Sequence, residues 1–176
     1  MPRIALRLLP LVCLALAACG GRSGDDAGRP ASVECAPFAR ALTGVSLSGA
    51  AADWWRQAED RFARTQQPEV GSILVFRRSG RLPDGHVAVV SQVLSRRQIK
   101  VTQANWVHHR VTEDQPVVDV SGRGDWSKVR VWWPPAGEMG VIDYPTFGFI
   151  RPDHPIGRNQ LVAATPAAIR TAGSAR

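Results

Sequence analysis

A thiol catalyst needs a cysteine whose proton can leave, a base to take it, a group to orient that base, and donors for the oxyanion. The chain has one candidate for each of the first two roles, and two for the third. Cys35 stands in the stretch Ser32-Val33-Glu34-Cys35-Ala36-Pro37-Phe38-Ala39-Arg40-Ala41-Leu42. Pro37 has no backbone donor and fits only a helix's first turn, so a helix running toward Leu42 begins near Ala36 and holds Cys35 at its positive end. A thiol so placed is expected to ionise more readily than usual, although most free cysteines are simply small buried hydrophobes. Of the four histidines, His86 follows Gly85 and opens an apolar run, which sets an imidazole on the first position of a strand beside a loop. His108 and His109 sit together on a polar edge, and His154 is near the C-terminus. Asn105 and Gln103, in the Gln103-Ala104-Asn105-Trp106 stretch that ends a neighbouring strand, are the two candidate orienting amides; an amide can select an imidazole tautomer without stabilising an imidazolium by charge.

The elements that must hold these groups follow from periodicity. Beyond the Cys35 helix, Ala50 to Thr65 places Trp54, Ala58 and Phe62 at helical spacing, so a second helix is expected there with Trp54 in the core. After Pro68 the period becomes two. Ser72–Phe76 and His86–Val93 read as neighbouring antiparallel strands across a turn-rich Ser79–Gly85 segment. Ile99–Gln103 alternates cleanly; Val107–Thr112 and Val117–Val120 add edge strands, and Val129–Trp133 and Phe147–Ile150 are later candidates. Trp132 and Trp133 read as packing on the sheet's two faces, with the lining of a glycan groove as the alternative. Helices followed by a meander of strands predict an α+β fold, N-terminal helices packed on an antiparallel sheet of about five to six strands.

The stretches Glu34-Cys35-Ala36-Pro37-Phe38-Ala39, Pro68-Glu69-Val70-Gly71-Ser72-Ile73-Leu74-Val75-Phe76, Pro83-Asp84-Gly85-His86-Val87-Ala88-Val89-Val90 and Gln103-Ala104-Asn105-Trp106, in this order, resemble the CHAP family of cysteine- and histidine-dependent amidohydrolases and peptidases. Phe147 to Pro152 resembles the family's closing segment. The resemblance implies a papain-like fold, Cys35 as nucleophile, His86 as base, no metal or organic cofactor, and cleavage of amide bonds in peptidoglycan. The sequence departs from the family at Gln103, where an acidic residue is frequent, which leaves Asn105 as the preferred orienter and Gln103 as the alternative, and at Ser72, where aspartate is frequent. The competing reading is an inactive scaffold that binds peptidoglycan or a cell-division partner. An amidase for a small exported peptide conjugate and a thiol transferase are enzymatic alternatives, and the need for a protein activator is left open.

Residues 1–18 read as a signal peptide: Arg3 and Arg7 form a basic n-region, and Ile4–Ala18 is mostly apolar and short for a bilayer span. Leu16-Ala17-Ala18-Cys19 resembles a bacterial lipobox, which implies cleavage before Cys19, lipidation of that cysteine, and an outer-membrane anchor facing the periplasm. Cys13 then leaves with the signal, so Cys35 is an unpaired thiol in an oxidising compartment. Residues 19–29 read as a flexible tether, 30–152 as the catalytic domain, and 153–176 as a disordered or loosely docked tail poor in core-sized residues. The formal charge of +7 is carried mainly by the two ends, because Cys19 to Ile150 holds 16 basic against 14 acidic residues. That balance leaves no nucleic-acid footprint, and no amphipathic basic helix points to a membrane beyond the anchor.

Overall fold

A computed structural model describes residues 28–154 and 156–174. The expected signal peptide, Cys19 and most of the tether lie outside the described residues. The elements run β1 (Arg29–Pro30), α1 (Cys35–Thr43), a 3-10 turn (Ala51–Asp53), α2 (Trp54–Gln57), β2 (Ala63–Thr65), β3 (Ile73–Phe76), β4 (His86–Ser95), β5 (Gln98–Ala104), β6 (Arg110–Asp119), β7 (Lys128–Trp133), β8 (Glu138–Met139), β9 (Tyr144–Arg151) and α3 (Arg158–Gly173).

The expected papain-like α+β plan, helices on an open sheet, is not what forms. The fold is mostly β. Strands pair in the order β6-β5-β4-β3-β9-β7, all antiparallel, and β7 returns to β6, closing a six-stranded barrel to which β1, β2 and β8 add short edges. Closure comes from Val117–Asp119, which pairs with Val129–Val131 on one side while β5 holds β6 on the other. A segment read as an edge strand is therefore a doubly paired wall. Closing a sheet removes its unpaired edges, a strong reason for short strands of this kind to curl.

Alternation along each strand divides the core in two. Leu74, Phe76, Ala88, Val90, Ile99, Val101, Val117, Val131 and Phe149 fill the barrel. Ile73, Val75, Val87, Val89 and Ile150 face outward, beneath Phe38, Leu42, Trp54 and Leu161 of the helical layer. Both faces are covered, so β3 is buried at every position and its period of two is invisible in composition.

Two further expectations are corrected. Ala50–Thr65 is not one helix: after the 3-10 turn and the four residues of α2, Asp60 takes φ +60° and the chain turns into β2, which pairs with β9. Trp54 and Ala58 are nonetheless fully buried, so the apolar stripe reported burial correctly and period wrongly. The tail is not loose either. Residues 158–173 form α3, which lays Leu161, Thr165, Ala168 and Ala172 against the core and packs on α1. Its start is pinned by Arg158 to Asp114 at 2.8 Å, and Ser91 Oγ donates to the same carboxylate at 2.7 Å. Alanines and a threonine suffice because helices approach closely over small side chains.

Candidate active site

Cys35 is the first residue of α1, whose end is set by Gly44 at φ +76° donating to the Arg40 carbonyl at 2.9 Å. Pro37 occupies the first turn, where its missing donor is no loss. The N–H groups of Cys35 and Ala36 and that of Val87 approach the sulfur and favour its anion. Burial outweighs them and pushes the Cys35 thiol up, with the Glu34 carboxylate adding to the rise. The helix terminus expected to favour the thiolate is present, and desolvation acts against it.

His86 is the first residue of β4, on the same face of the strand as Ala88 and Val90, and so at one mouth of the barrel. Gly85, at φ +72°, turns the chain into the strand where an added Cβ would lie 2.6 Å from the Ala52 Cβ and 2.7 Å from the Phe76 carbonyl. The imidazole is 3% exposed and packed among Phe76 and Trp106, with ring centroids 5.4 and 5.2 Å away, and Tyr144 closes the cluster 5.0 Å from Trp106. Burial lowers the His86 pKa to about 4, against the opposing hydrogen bond from Gln103.

The amide on His86 is Gln103, whose Oε1 lies 3.0 Å from Nε2. Gln103 continues the inward series Ile99 and Val101 and is 1% exposed; its Nε2 has no protein partner. Asn105, the preferred orienter from sequence, points elsewhere. At φ +59° it forms the turn after β5, donates to Glu34 Oε2 at 2.8 Å and accepts from the His109 N–H at 3.0 Å. His108 and His109 stack on one another at 3.8 Å away from the cleft, and His154 is exposed.

Cys35, His86, Asn105 and Glu34 line one cleft of about 510 Å³, together with the Gly49–Ala51 and Arg81–Gly85 segments. The wall formed by those segments is tied by the two-pronged pair of Arg78 with Asp53, both bonds 2.9 Å, and by the Ala52 N–H on the Asp84 carbonyl at 2.9 Å. Two cleft residues escaped the sequence reading. Glu34, next to the cysteine, is marked only by that adjacency; Arg81, in the turn-rich loop, carries no local signal. Chemically the arrangement sets a thiol and an imidazole on one cavity, the imidazole's Nε2 held by the Gln103 acceptor, with burial disfavouring charge on both.

The family model of the CHAP domain matches residues 24–105, the span that supplies Cys35, His86, Gln103 and Asn105. The domain implies action on peptidoglycan as an amidase or peptidase in general. No curated protein matches the chain.

Proposed function

Starting from residues 24–105 as a CHAP domain, we propose that this chain hydrolyses an amide bond of peptidoglycan through a Cys35 acyl-enzyme, with His86 as base and Gln103 as its orienting partner. The observation that carries the reading is the cleft shared by Cys35 and His86, with the buried Gln103 fixing the ring.

The Gln103 Oε1 accepts from Nε2–H, so the neutral ring presents an unprotonated Nδ1 to the cleft. Because the thiol is raised and the imidazole lowered, the resting pair is uncharged, and proton transfer accompanies attack instead of preceding it. Sγ gives its proton to Nδ1 and bonds to the amide carbonyl carbon. The carbonyl oxygen takes the negative charge and is met by N–H groups at the start of α1, which have no partner within the helix. His86 returns the proton to the leaving nitrogen, the C–N bond breaks, and a thioester remains on Cys35. Water then gives a proton to Nδ1 and its oxygen bonds to the thioester carbon. The C–S bond breaks, the sulfur recovers its proton from Nδ1, and the product leaves as a carboxylic acid that gives up its proton to solvent. In the same reading Cys19 carries the lipid that holds the domain at the outer membrane.

One observation favours the rival. A thiol raised by burial beside a histidine with a glutamine partner, where family members frequently carry an acid, also describes a scaffold that binds peptidoglycan without cutting it. Purified sacculi digested with the lipid-free domain, wild type beside Cys35→Ser, separate the two by mass spectrometry of released fragments. New termini in the wild-type digest alone are expected. Equal release by both proteins removes Cys35 as nucleophile, and binding without release by either leaves the scaffold.

A further inference from the structure

A carboxylate stands where the proposed chemistry builds negative charge. Glu34 precedes Cys35, lines the same cleft, and its charge adds to the rise of the thiol. The ordinary duties of such a side chain are not what it performs. It occupies the N-cap position of α1 but makes no side-chain cap bond. Among the described residues it forms no ion pair, although Arg81 lines the same cleft. Nor does it orient the base, since the His86 ring bonds to Gln103.

The carboxylate is nevertheless held in place. Asn105 Nδ2 donates to Glu34 Oε2 at 2.8 Å, and Asn105 Oδ1 accepts from the His109 N–H at 3.0 Å. The amide that orients no base thus fixes Glu34 at the edge of the cleft. The residue is exposed and its Oε1 accepts from no protein donor among the described residues, so that oxygen is open to a ligand. During attack, charge moves onto the sulfur and then onto the carbonyl oxygen, and an uncompensated carboxylate beside them opposes both steps. A neutral donor on Glu34 leaves its charge in place, whereas a cation cancels it. Asp84 also lines the cleft, so carboxylates outnumber its one charged base, Arg81. The compensating cation therefore has to arrive with the substrate.

We propose that Glu34 is a specificity residue that receives a primary ammonium of the substrate close to the scissile amide, the free amino group of a diamino acid or of an unsubstituted peptide end. The inference rests on the reading of the cleft as a peptidoglycan amide hydrolase. Because the ammonium cancels a charge that opposes the attack, it contributes to kcat as well as to KM. The cysteine then meets full opposition from Glu34 until a cationic substrate is in place.

The test reads the charge preference of the Cys35 thiol in the lipid-free domain. Aminoethyl and sulfonatoethyl methanethiosulfonate carry an ammonium or a sulfonate on the same reacting group; each leaves a disulfide on Cys35 and releases methanesulfinate. Their rates at one fixed pH are taken as a ratio, so that any change in thiol ionisation cancels. Glu34→Gln, which keeps an oxygen for Asn105, is expected to lower the preference for the cationic reagent at least about tenfold. Asp84→Asn, the matched control, should lower it less than about threefold, and Asn105→Gly, which frees the carboxylate without removing it, should fall between the two. An unchanged ratio in Glu34→Gln, or an equal fall in Asp84→Asn, overturns the proposal. In sacculus digests, acetylating the free amines should cut release by the wild type at least about tenfold, and Glu34→Gln should respond to acetylation far less. Equal release by the wild type from acetylated and untreated sacculi overturns the proposal. No release from either removes the hydrolase reading beneath it, and the reagent ratio then decides alone whether Glu34 selects an ammonium.

Discussion

Gln103 Oε1 and His86 Nε2 are 3.0 Å apart inside the mouth of the barrel, both residues almost fully buried, whereas Asn105 is spent on Glu34 at the cleft's edge. The two amides should thus separate in kinetics. Gln103→Leu removes the acceptor that selects the ring tautomer and is expected to lower kcat by about 10²-fold or more with little change in KM. Asn105→Gly suits the left-handed backbone at that position and deletes the links to Glu34 and to the His109 N–H, neither of which touches His86, so less than about tenfold loss is expected. Gln103→Glu places a carboxylate on the imidazole, raising its pKa and moving the acid limb of the kcat/KM profile to higher pH. A larger loss in Asn105→Gly than in Gln103→Leu would exchange their roles.

How much of this was legible beforehand depends on whether a residue's meaning was local. Cys35 and His86 were, because Pro37 fixes a helix start and Gly85 followed by apolar residues fixes a strand start. The strands were also legible, but not their closure. The Val117–Val131 pairing joins segments whose composition says strand without naming a partner, and Pro116 and Asp114 interrupt the alternation of β6 just before it. Parity sets Gln103 and Asn105 apart in the fold: Gln103 keeps the inward face of Ile99 and Val101, while Asn105 falls in the turn. The thiol's acidity failed for a different reason. The helix terminus is visible in sequence, but the desolvation that overrides it is a property of the packed layer.

His86 also makes stability depend on pH. In the unfolded chain its pKa is about 6.5, and in the fold it is lowered to about 4. Above pH 6.5 both states are neutral and the full stability is present. As pH falls the unfolded chain binds the proton first, so stability drops through this window and the loss is complete below about 4. Its size is on the order of 3 kcal/mol. His86→Phe, which keeps a ring among Phe76 and Trp106, should flatten this part of the curve in urea titrations at pH 7, 5.5 and 4. An unchanged slope in that variant assigns the acid sensitivity to other groups.

Burial, which pushes the Cys35 thiol up, predicts its reactivity toward iodoacetamide. A thiol raised above its ordinary value alkylates slowly at pH 6 to 7 and accelerates into the alkaline range without an acid plateau. Because His86 is neutral above about pH 4, His86→Phe should leave that rise almost where it was. A plateau below pH 7 that vanishes in His86→Phe would demonstrate a thiolate–imidazolium pair, contrary to what burial dictates.

Gly85 joins fold to chemistry most directly, because the residue after it is the proposed base, His86. Its backbone is left-handed, and a Cβ there meets the Ala52 Cβ, the Ala52 nitrogen and the Phe76 carbonyl, all within 2.8 Å. None of these can swing away: two are backbone atoms and the third is a methyl fixed to its own backbone. Gly85→Ala should therefore cost about 1–3 kcal/mol in backbone strain alone and push the loop off the Ala50–Ala52 wall, displacing His86 from Gln103. Gly80 lies in the same loop, and a Cβ there meets nothing within 4 Å. Gly80→Ala is the matched control and should change urea stability by less than about 0.5 kcal/mol with activity retained. If both variants behave alike, the loop is pliant and His86 is positioned by Phe76, Trp106 and Gln103 without help from the turn; if only Gly85→Ala fails, the turn sets the base.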